Sequence, residues 1–470
     1  MLAELDDFFE YMERLCNHER FGVPRGAGTD SDDGFDLGCM RRLLHRLGDP
    51  HTHFPAVHIA GTKGKGSAAA FLSNIMREQG YNVGCYSSPH LLTIRERISV
   101  GKDGGPVSVG LLRDLFDEAK DLIDKSIVLE NGALTHFEVF TALSFLIFSR
   151  QNVDIAIVEV MIGGPFSADI EQIIRDRAFL TKSPVISACD PGVKSITKCI
   201  DWDNGRPYQS CDISIKISND RPLFIELHDV KLWLLGDHQR QNAVTASCTA
   251  LCLCNLGWDI SEASIQAGLE KTQLPGRSQF LTQEEASVLG LDGLSTVLID
   301  GAHTEASAKA LSDVIETVKP EGPLALVVGM ANDKEHLAFA EQLLSGPRPD
   351  IVLLTEASMA GGTSRAMPAS SLKELWIAAA KDQGIDYMDI GTVSGMETQE
   401  CTSNLAVSSS SSSKTMLIGC QGALFSCDLI MVASQLLEKS RGACGAAPGL
   451  ICVTGSLYLV ASVLQQLGKH

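Results

Sequence analysis

Apolar positions along the chain follow two rhythms. Leu2, Leu5, Phe8, Phe9, Met12 and Leu15 recur at helical spacing, and residues 38–47 form a second helical stretch. From Val57 the rhythm shortens into an apolar run, a glycine-rich turn, an amphipathic stretch at 68–79 and another short run at 82–86. Short strands alternating with amphipathic helices predict an α/β fold with a doubly wound, mostly parallel sheet. The alternation resumes at 296, with strands expected at 297–299, 324–329, 351–355 and 387–390 and helices near 335–344 and 372–383. A second, smaller α/β domain is therefore expected. Between the two, 212–217 and 223–227 alternate with period two, as an antiparallel pair beside the main sheet would. Residues 400–450 keep neither rhythm, since 408–413 is a serine tract and 442–448 is small and loop-like. The domains are expected at 1–294 and 295–470, the second with a divergent low-complexity insert at about 400–450.

The strand ends carry the chemistry. Val57-His58-Ile59 breaks into Ala60-Gly61-Thr62-Lys63-Gly64-Lys65-Gly66-Ser67. Glycines let the backbone curl with its N–H groups inward, Lys65 puts a point charge on the outer phosphates, and Ser67 offers a hydroxyl to a phosphate or its metal. The glycine between lysine and serine departs from the usual P-loop spacing, but a merely structural turn has no use for a cation there. The strand at 154–160 brings Glu159 to its C-terminal end, a position suited to holding the magnesium that bridges nucleotide phosphates. Ser88-Pro89 reads as a turn, and Arg95 and Arg97 are expected on one side of an extended segment, as a binding pair or a solvated charge cluster. Thr135 and Glu138 have capping-box spacing, which alone explains them. His238 and Asn242 lie four apart at a helix start, facing one pocket or serving as caps. Arg277 follows a Pro-Gly turn and needs a surface or a phosphate.

Composition narrows the partners. Of 470 residues 44% are hydrophobic and 21% charged, the balance of a soluble globular enzyme. A net charge of −19 argues against nucleic acid or an anionic membrane as partner, so an anionic nucleotide must be held by a few local donors. No apolar run reaches membrane-spanning length. The 14 cysteines, with no signal peptide, fit a reducing compartment. Cys248, Cys252 and Cys254 read as small hydrophobes on a helix rather than a metal site. Residues 1–10 are acidic and unlike a transit peptide, which makes the chain cytoplasmic as written, or mitochondrial if a presequence is missing from it.

In this order the motifs resemble the folylpolyglutamate synthase and dihydrofolate synthase family of Mur-type ligases, most closely its plant-type dihydrofolate synthases. The resemblance rests on residues 60–67, Ser88-Pro89-His90 with Arg95-Glu96-Arg97-Ile98, Thr135-His136-Phe137-Glu138, Gly236-Asp237-His238-Gln239 with Asn242-Ala243, Leu274-Pro275-Gly276-Arg277, Asp300-Gly301-Ala302-His303 and Val453-Thr454-Gly455-Ser456-Leu457. It implies a Mur-ligase-like P-loop domain and a Rossmann-like C-terminal domain, with ATP and Mg2+ as cofactors. It also implies that Gly61, Thr62, Lys63, Gly64, Lys65, Gly66, Ser67, Asn242, Arg277, Asp300 and His303 bind ATP, with Lys65 and His303 catalytic. Ser67, Ser88 and Glu159 would hold the metal, and Pro89, His90, Arg95 and Phe137 are candidate contacts for the second substrate.

The resemblance has one break. After Gly163-Gly164 the family continues to a strand with a metal-binding histidine and a helix with a carbamylated lysine, whereas this chain passes to Pro165-Phe166-Ser167-Ala168-Asp169. An interval of about fifty residues, one strand–helix–strand unit, is expected to have dropped out. In a second alignment Arg177 takes the lysine's place, and arginine cannot be carbamylated.

The implied reaction is ATP-dependent joining of L-glutamate to dihydropteroate through an acyl phosphate, by a monomer acting on small molecules. Folylpolyglutamate synthesis on tetrahydrofolate is the nearest alternative. A catalytically impaired nucleotide- or folate-binding isoform and a generic P-loop NTPase are the more distant ones.

Overall fold

The computed structural model describes residues 5–17, 38–61, 63–159, 176, 178, 180, 185–218, 222–291, 295–318, 322–356, 365–393, 415–422, 426–440 and 448–468. Contacts divide the chain into two units: residues 1–194, 213–227 and 241–272 form the first, and 195–212, 228–240 and 273–470 the second.

In the first unit, helix α1 (Asp6–Glu13) turns Phe8, Tyr11 and Met12 inward. Phe8 and Tyr11 meet Phe116 of α4 (Val109–Leu129) edge to face at 5.1 and 5.0 Å. Helix α2 (Gly38–Arg46) is tied to the end of α4 by Glu130, whose carboxylate takes both Arg42 Nε at 2.9 Å and Arg42 Nη2 at 2.7 Å. The first sheet runs in the order β1 (Ala56–Ile59), β4 (Ile155–Glu159), β2 (Val83–Tyr86), β3 (Ile98–Gly101), parallel except for β2 with β3. Between β1 and β2 lies α3 (Lys65–Glu78), and α5 (His136–Arg150) precedes β4. Among the described strands β1 stands at the sheet edge, with Ala56 and His58 exposed. Helix α6 (Asp237–Asn255) leads to α7 (Glu262–Lys271), which crosses α3 so closely that a Cβ on Gly268 would fall 2.4 Å from the backbone of Ile75. Only glycine permits that approach.

The three strands β5 (Val193–Asp203), β6 (Arg206–Ile217) and β7 (Leu223–Leu232) form a separate sheet in that order. Two of these runs were legible as a pair. The third, β5, was hidden because Lys194, Ser195, Lys198 and Cys199 interrupt its apolar residues.

The second unit's sheet has the order β12 (Tyr387–Thr392), β13 (Met416–Gln421), β11 (Ile351–Thr355), β10 (Leu324–Val328), β14 (Leu450–Thr454), β9 (Thr296–Ile299), β8 (Gln279–Phe280). Neighbours are parallel except β8 with β9. Helices α8 (Gln283–Val288), α9 (Glu305–Val318), α10 (His336–Leu344), α11 (Ala369–Asp382), α12 (Ser426–Ser440) and α13 (Leu457–Gln466) connect or follow these strands. β10, β11, β13 and β14 are buried at every position, as parallel strands covered by helices on both faces must be. The stretch expected to be a divergent insert thus contributes a central strand, β13, and the helix α12. The serine tract, the segment at 160–175 with its Gly163-Gly164 break, and Arg177 lie outside the described residues.

Candidate functional site

In the first unit the site grows from the C-terminal ends of β1, β4 and β2. Ile59 is the register partner of Glu159, so the strand that enters the glycine-rich loop and the strand that ends in the carboxylate finish side by side. Glu159 is 5% exposed and faces the first turn of α3, where a Cβ on Gly66 would sit 3.5 Å from its Oε2. Its Oε2 also accepts from the backbone N–H of Ser88 at 3.2 Å. Ser88 Oγ is buried and has no hydrogen-bond partner among the described residues. Leaving a buried hydroxyl unpaired costs about 1–3 kcal/mol, which makes such an atom a marker for a missing ligand.

The loop itself is short of side chains and rich in backbone. Gly64 caps α3 at φ +75, and a Cβ there would lie 2.2 Å from Asn242 Oδ1. Glycine is required twice over, for its left-handed backbone and for the room it gives Asn242. Helix α6 thereby delivers Asn242 directly onto the loop. Lys65 folds back so that Nζ donates to Gly61 O at 2.7 Å, while Lys63 is exposed and Ser67 buried. Thr62 lies outside the described residues.

The segment after Ser88 is a braced loop rather than an extended run. Residues 94–97 form a 3-10 turn, closed by a capping box between Thr93 and Glu96. Glu96 accepts from the N–H groups of Leu91 at 2.8 Å, Leu92 at 3.0 Å and Thr93 at 2.7 Å. Arg95 and Arg97 consequently part: Arg95 Nη1 donates to Val107 O at 3.0 Å, and Arg97, 3% exposed, donates through Nε to His90 Nδ1 at 2.9 Å. Pro89 is exposed and follows a cis peptide bond. Phe137 packs its ring 6.2 Å from that of Tyr86, just inside the capping box of Thr135 and Glu138.

In the second unit two distant motifs meet. Asp300 Oδ2 accepts from Ser278 N at 2.7 Å and Oδ1 from Ala302 N at 2.9 Å, while Gly301 N donates to Gly276 O at 2.9 Å. A Cβ on Gly301 would come within 3.6 Å of Arg277 Nη1, which places the guanidinium beside this turn. His303 Nδ1 lies 2.8 Å from Gly301 O, a bond it makes as donor, leaving Nε2 as the acceptor. Burial, first of all, lowers the pKa of His303, with Lys334 and Arg277 acting in the same direction. The ring is kept neutral.

His238, which the sequence places with Asn242 at a helix start, sits on a turn packed against α9, since a Cβ on Gly236 would lie 3.1 Å from Val314 Cγ2. Asp300 and Arg277 both act on the His238 ring, and crowding by protein atoms lowers its pKa, although its own surface stays exposed. The open surface makes the ring reachable and the shift secondary. Cys248 is buried and Cys252 and Cys254 half-buried, and among the described residues no three His, Cys, Asp or Glu side chains cluster.

Residues 277–403 match the Mur ligase glutamate ligase domain. The chain is 29% identical over 365 residues to the dihydrofolate synthase/folylpolyglutamate synthase of Bacillus subtilis, across 69% of this chain and 80% of that protein. It is 29% identical over 385 residues to a probable bifunctional folylpolyglutamate synthase/dihydropteroate synthase of Halobacterium salinarum, across 73% of this chain but only 43% of that one. Among solved structures, the Mycobacterium tuberculosis folylpolyglutamate synthase complexed with ADP and AMPPCP shares the fold, with a TM-score of 0.72 at 20% identity over 100% of this chain and 99% of that chain.

Proposed function

We propose that the chain, similar to folylpolyglutamate and dihydrofolate synthases and matching the Mur ligase glutamate ligase domain over 277–403, joins L-glutamate to dihydropteroate, giving dihydrofolate. ATP phosphorylates the pteroate carboxylate, and the α-amine of glutamate displaces phosphate from the acyl phosphate. A carboxylate is a poor electrophile and an acyl phosphate a good one, which is why the nucleotide is needed. The backbone N–H groups of the loop at 61–67 cradle the phosphates, and Lys65 leaves Gly61 O to neutralise the transferring group. Asn242, packed on Gly64, fixes the loop's entry into α3. Within the second unit Arg277, Asp300 and His303 are the candidate nucleotide contacts, and neutral His303 offers its Nε2 as a hydrogen-bond acceptor.

The observation that carries the reading is the Ser88 hydroxyl, buried and without a hydrogen-bond partner among the described residues, on the residue whose backbone N–H meets Glu159. One carboxylate and hydroxyl oxygens form a hard-oxygen donor set that suits Mg2+, an ion that keeps several waters and takes its other ligands from phosphates. Ser88, Glu159 and Ser67 would hold it. When bound, Mg2+ offsets charge on the phosphates.

The test is glutamate-dependent phosphate release with Mg-ATP, comparing dihydropteroate with tetrahydrofolate. Turnover with dihydropteroate supports the proposal. Preference for tetrahydrofolate reassigns the chain to polyglutamylation, and nucleotide binding without turnover on either acceptor leaves a binding protein.

A further inference from the structure

Two strands of the three-stranded sheet carry a connected set of polar side chains to which the functional reading gives no role. Gln209 on β6 is 1% exposed. Its Nε2 donates to Leu234 O at 2.6 Å and reaches Gly236 O at 3.3 Å. Its Oε1 accepts from Thr197 Oγ1 of β5 at 3.2 Å, and that hydroxyl accepts from Arg240 Nη1 at 2.6 Å. Arg240 also donates through Nε to Ser195 Oγ at 3.2 Å and pairs with Asp237 at 2.8 Å. The chain of bonds closes on a single turn. Gly236 O takes the N–H groups of Gln239 at 3.0 Å and Arg240 at 3.1 Å, so the first turn of α6 is gripped both by its own backbone and by the side chains of β5 and β6.

His238 rides on that turn. A Cβ on Gly236, at φ +97, would lie 3.0 Å from the imidazole, so the ring is folded over the glycine. The same Cβ would lie 3.1 Å from Val314 Cγ2, so the turn packs on α9, the helix that follows Asp300 and His303, and the charges of Asp300 and Arg277 act on the ring. We infer that Gln209, held by Thr197 and Arg240, is a positioning residue that sets His238 beside Arg277 and Asp300 for nucleotide binding. This rests on the nucleotide assignment proposed above for those two residues.

The chemistry explains why an amide stands at 209. A planar group with two donors and an acceptor can hold two carbonyls and a hydroxyl at once. Leucine fills a similar volume and leaves Leu234 O without its closest donor. Glutamate keeps the acceptor for Thr197 but turns an oxygen toward two carbonyl oxygens. Both changes release the turn without removing any group that meets the nucleotide.

The experiment is a double-mutant cycle on affinity for a non-hydrolysable ATP analogue with Mg2+, using Gln209→Leu, His238→Ala and their combination. Each single variant is expected to weaken binding about tenfold and the pair scarcely more, because His238 is of no use once its turn is loose. KM for the pteroate acceptor stays unchanged. Independent effects that multiply to about a hundredfold in the pair would overturn the inference. Hydrogen exchange in the nucleotide-free chain is the second measurement. Faster exchange at the amides of Gln239 and Arg240 in both Gln209→Leu and Thr197→Val, with the amides of β10 and β11 unchanged, supports the grip. Unchanged exchange at those two amides in a folded Gln209→Leu chain overturns it, whether or not the wild type binds nucleotide. A wild type that binds none sinks the nucleotide assignment and, with it, the role given to Gln209.

Discussion

Asp300 accepts the backbone N–H of Ser278 at 2.7 Å across a separation of 22 residues, and this bond locks the Pro275-Gly276 turn to the end of β9. Ser278 adopts a positive φ of 43, an unfavourable state for a residue with a Cβ, so the turn is held by its contacts rather than by local preference. Asp300→Ala leaves the amides of Ser278 and Ala302 without acceptors and is expected to destabilise the second unit by about 1–3 kcal/mol, read by urea unfolding. KM for ATP should rise as well, because Arg277 stands on the released turn. A variant as stable as the wild type would show that water replaces the carboxylate without cost.

Gly64→Ala combines two penalties that can be separated. The backbone at φ +75 costs about 1 kcal/mol for any residue with a Cβ, and the new methyl meets Asn242 at 2.2 Å. Adding Asn242→Ala should relieve the clash and leave the backbone cost. Thermal melts of the four chains in the cycle decide: additive losses would mean that the two residues do not touch in solution.

Ser88→Ala should behave unlike an ordinary core substitution. The hydroxyl makes no hydrogen bond among the described residues, so its removal is expected to leave stability unchanged within about 0.5 kcal/mol. The Mg2+ concentration for half-maximal activity should instead rise about tenfold, since one of the few protein donors is gone. A normal Mg2+ requirement together with lowered stability would assign the hydroxyl a packing role only.

Glu130 makes the first unit acid-sensitive. Hydrogen bonds from Arg42, then from Arg46, lower its pKa from 4.5 to about 2. The folded value lies below the unfolded one, so the stabilisation is fully present above about pH 4.5 and is lost as pH falls toward 2. Glu130→Gln should flatten that part of the pH–stability curve. An unchanged curve between pH 5 and about 2 would place the acid sensitivity in other carboxylates.

How much of this was legible depended on how local the cause was. The strand, glycine loop and helix at 56–78 follow from apolar spacing and from glycine chemistry within a few residues, and the one shift is that the helix begins at Lys65 and not at 68. The strand-end placement of Glu159 and Asp300 was legible because a carboxylate at the end of an apolar run is itself a local signal. Arg95 and Arg97 were misjudged as neighbours on one extended face, because the capping box of Thr93 with Glu96 turns the backbone between them. Gln209 and Arg240 carry no sequence signal, since their partners lie on strands and turns up to 45 residues away. β13 was missed because a five-residue apolar run beside a serine tract has too few positions for its period to show. The expected dropped interval after Gly164 falls on residues outside those described.

The central claim is that the chain activates a carboxylate as an acyl phosphate, and the most direct measurement follows oxygen. Dihydropteroate labelled with 18O in its carboxylate is turned over with Mg-ATP and glutamate, and the released phosphate is analysed by mass. The account predicts one 18O atom in each phosphate, because the bridging oxygen leaves with phosphorus when the amine attacks the carbonyl. Unlabelled phosphate, or label appearing in AMP, would contradict it.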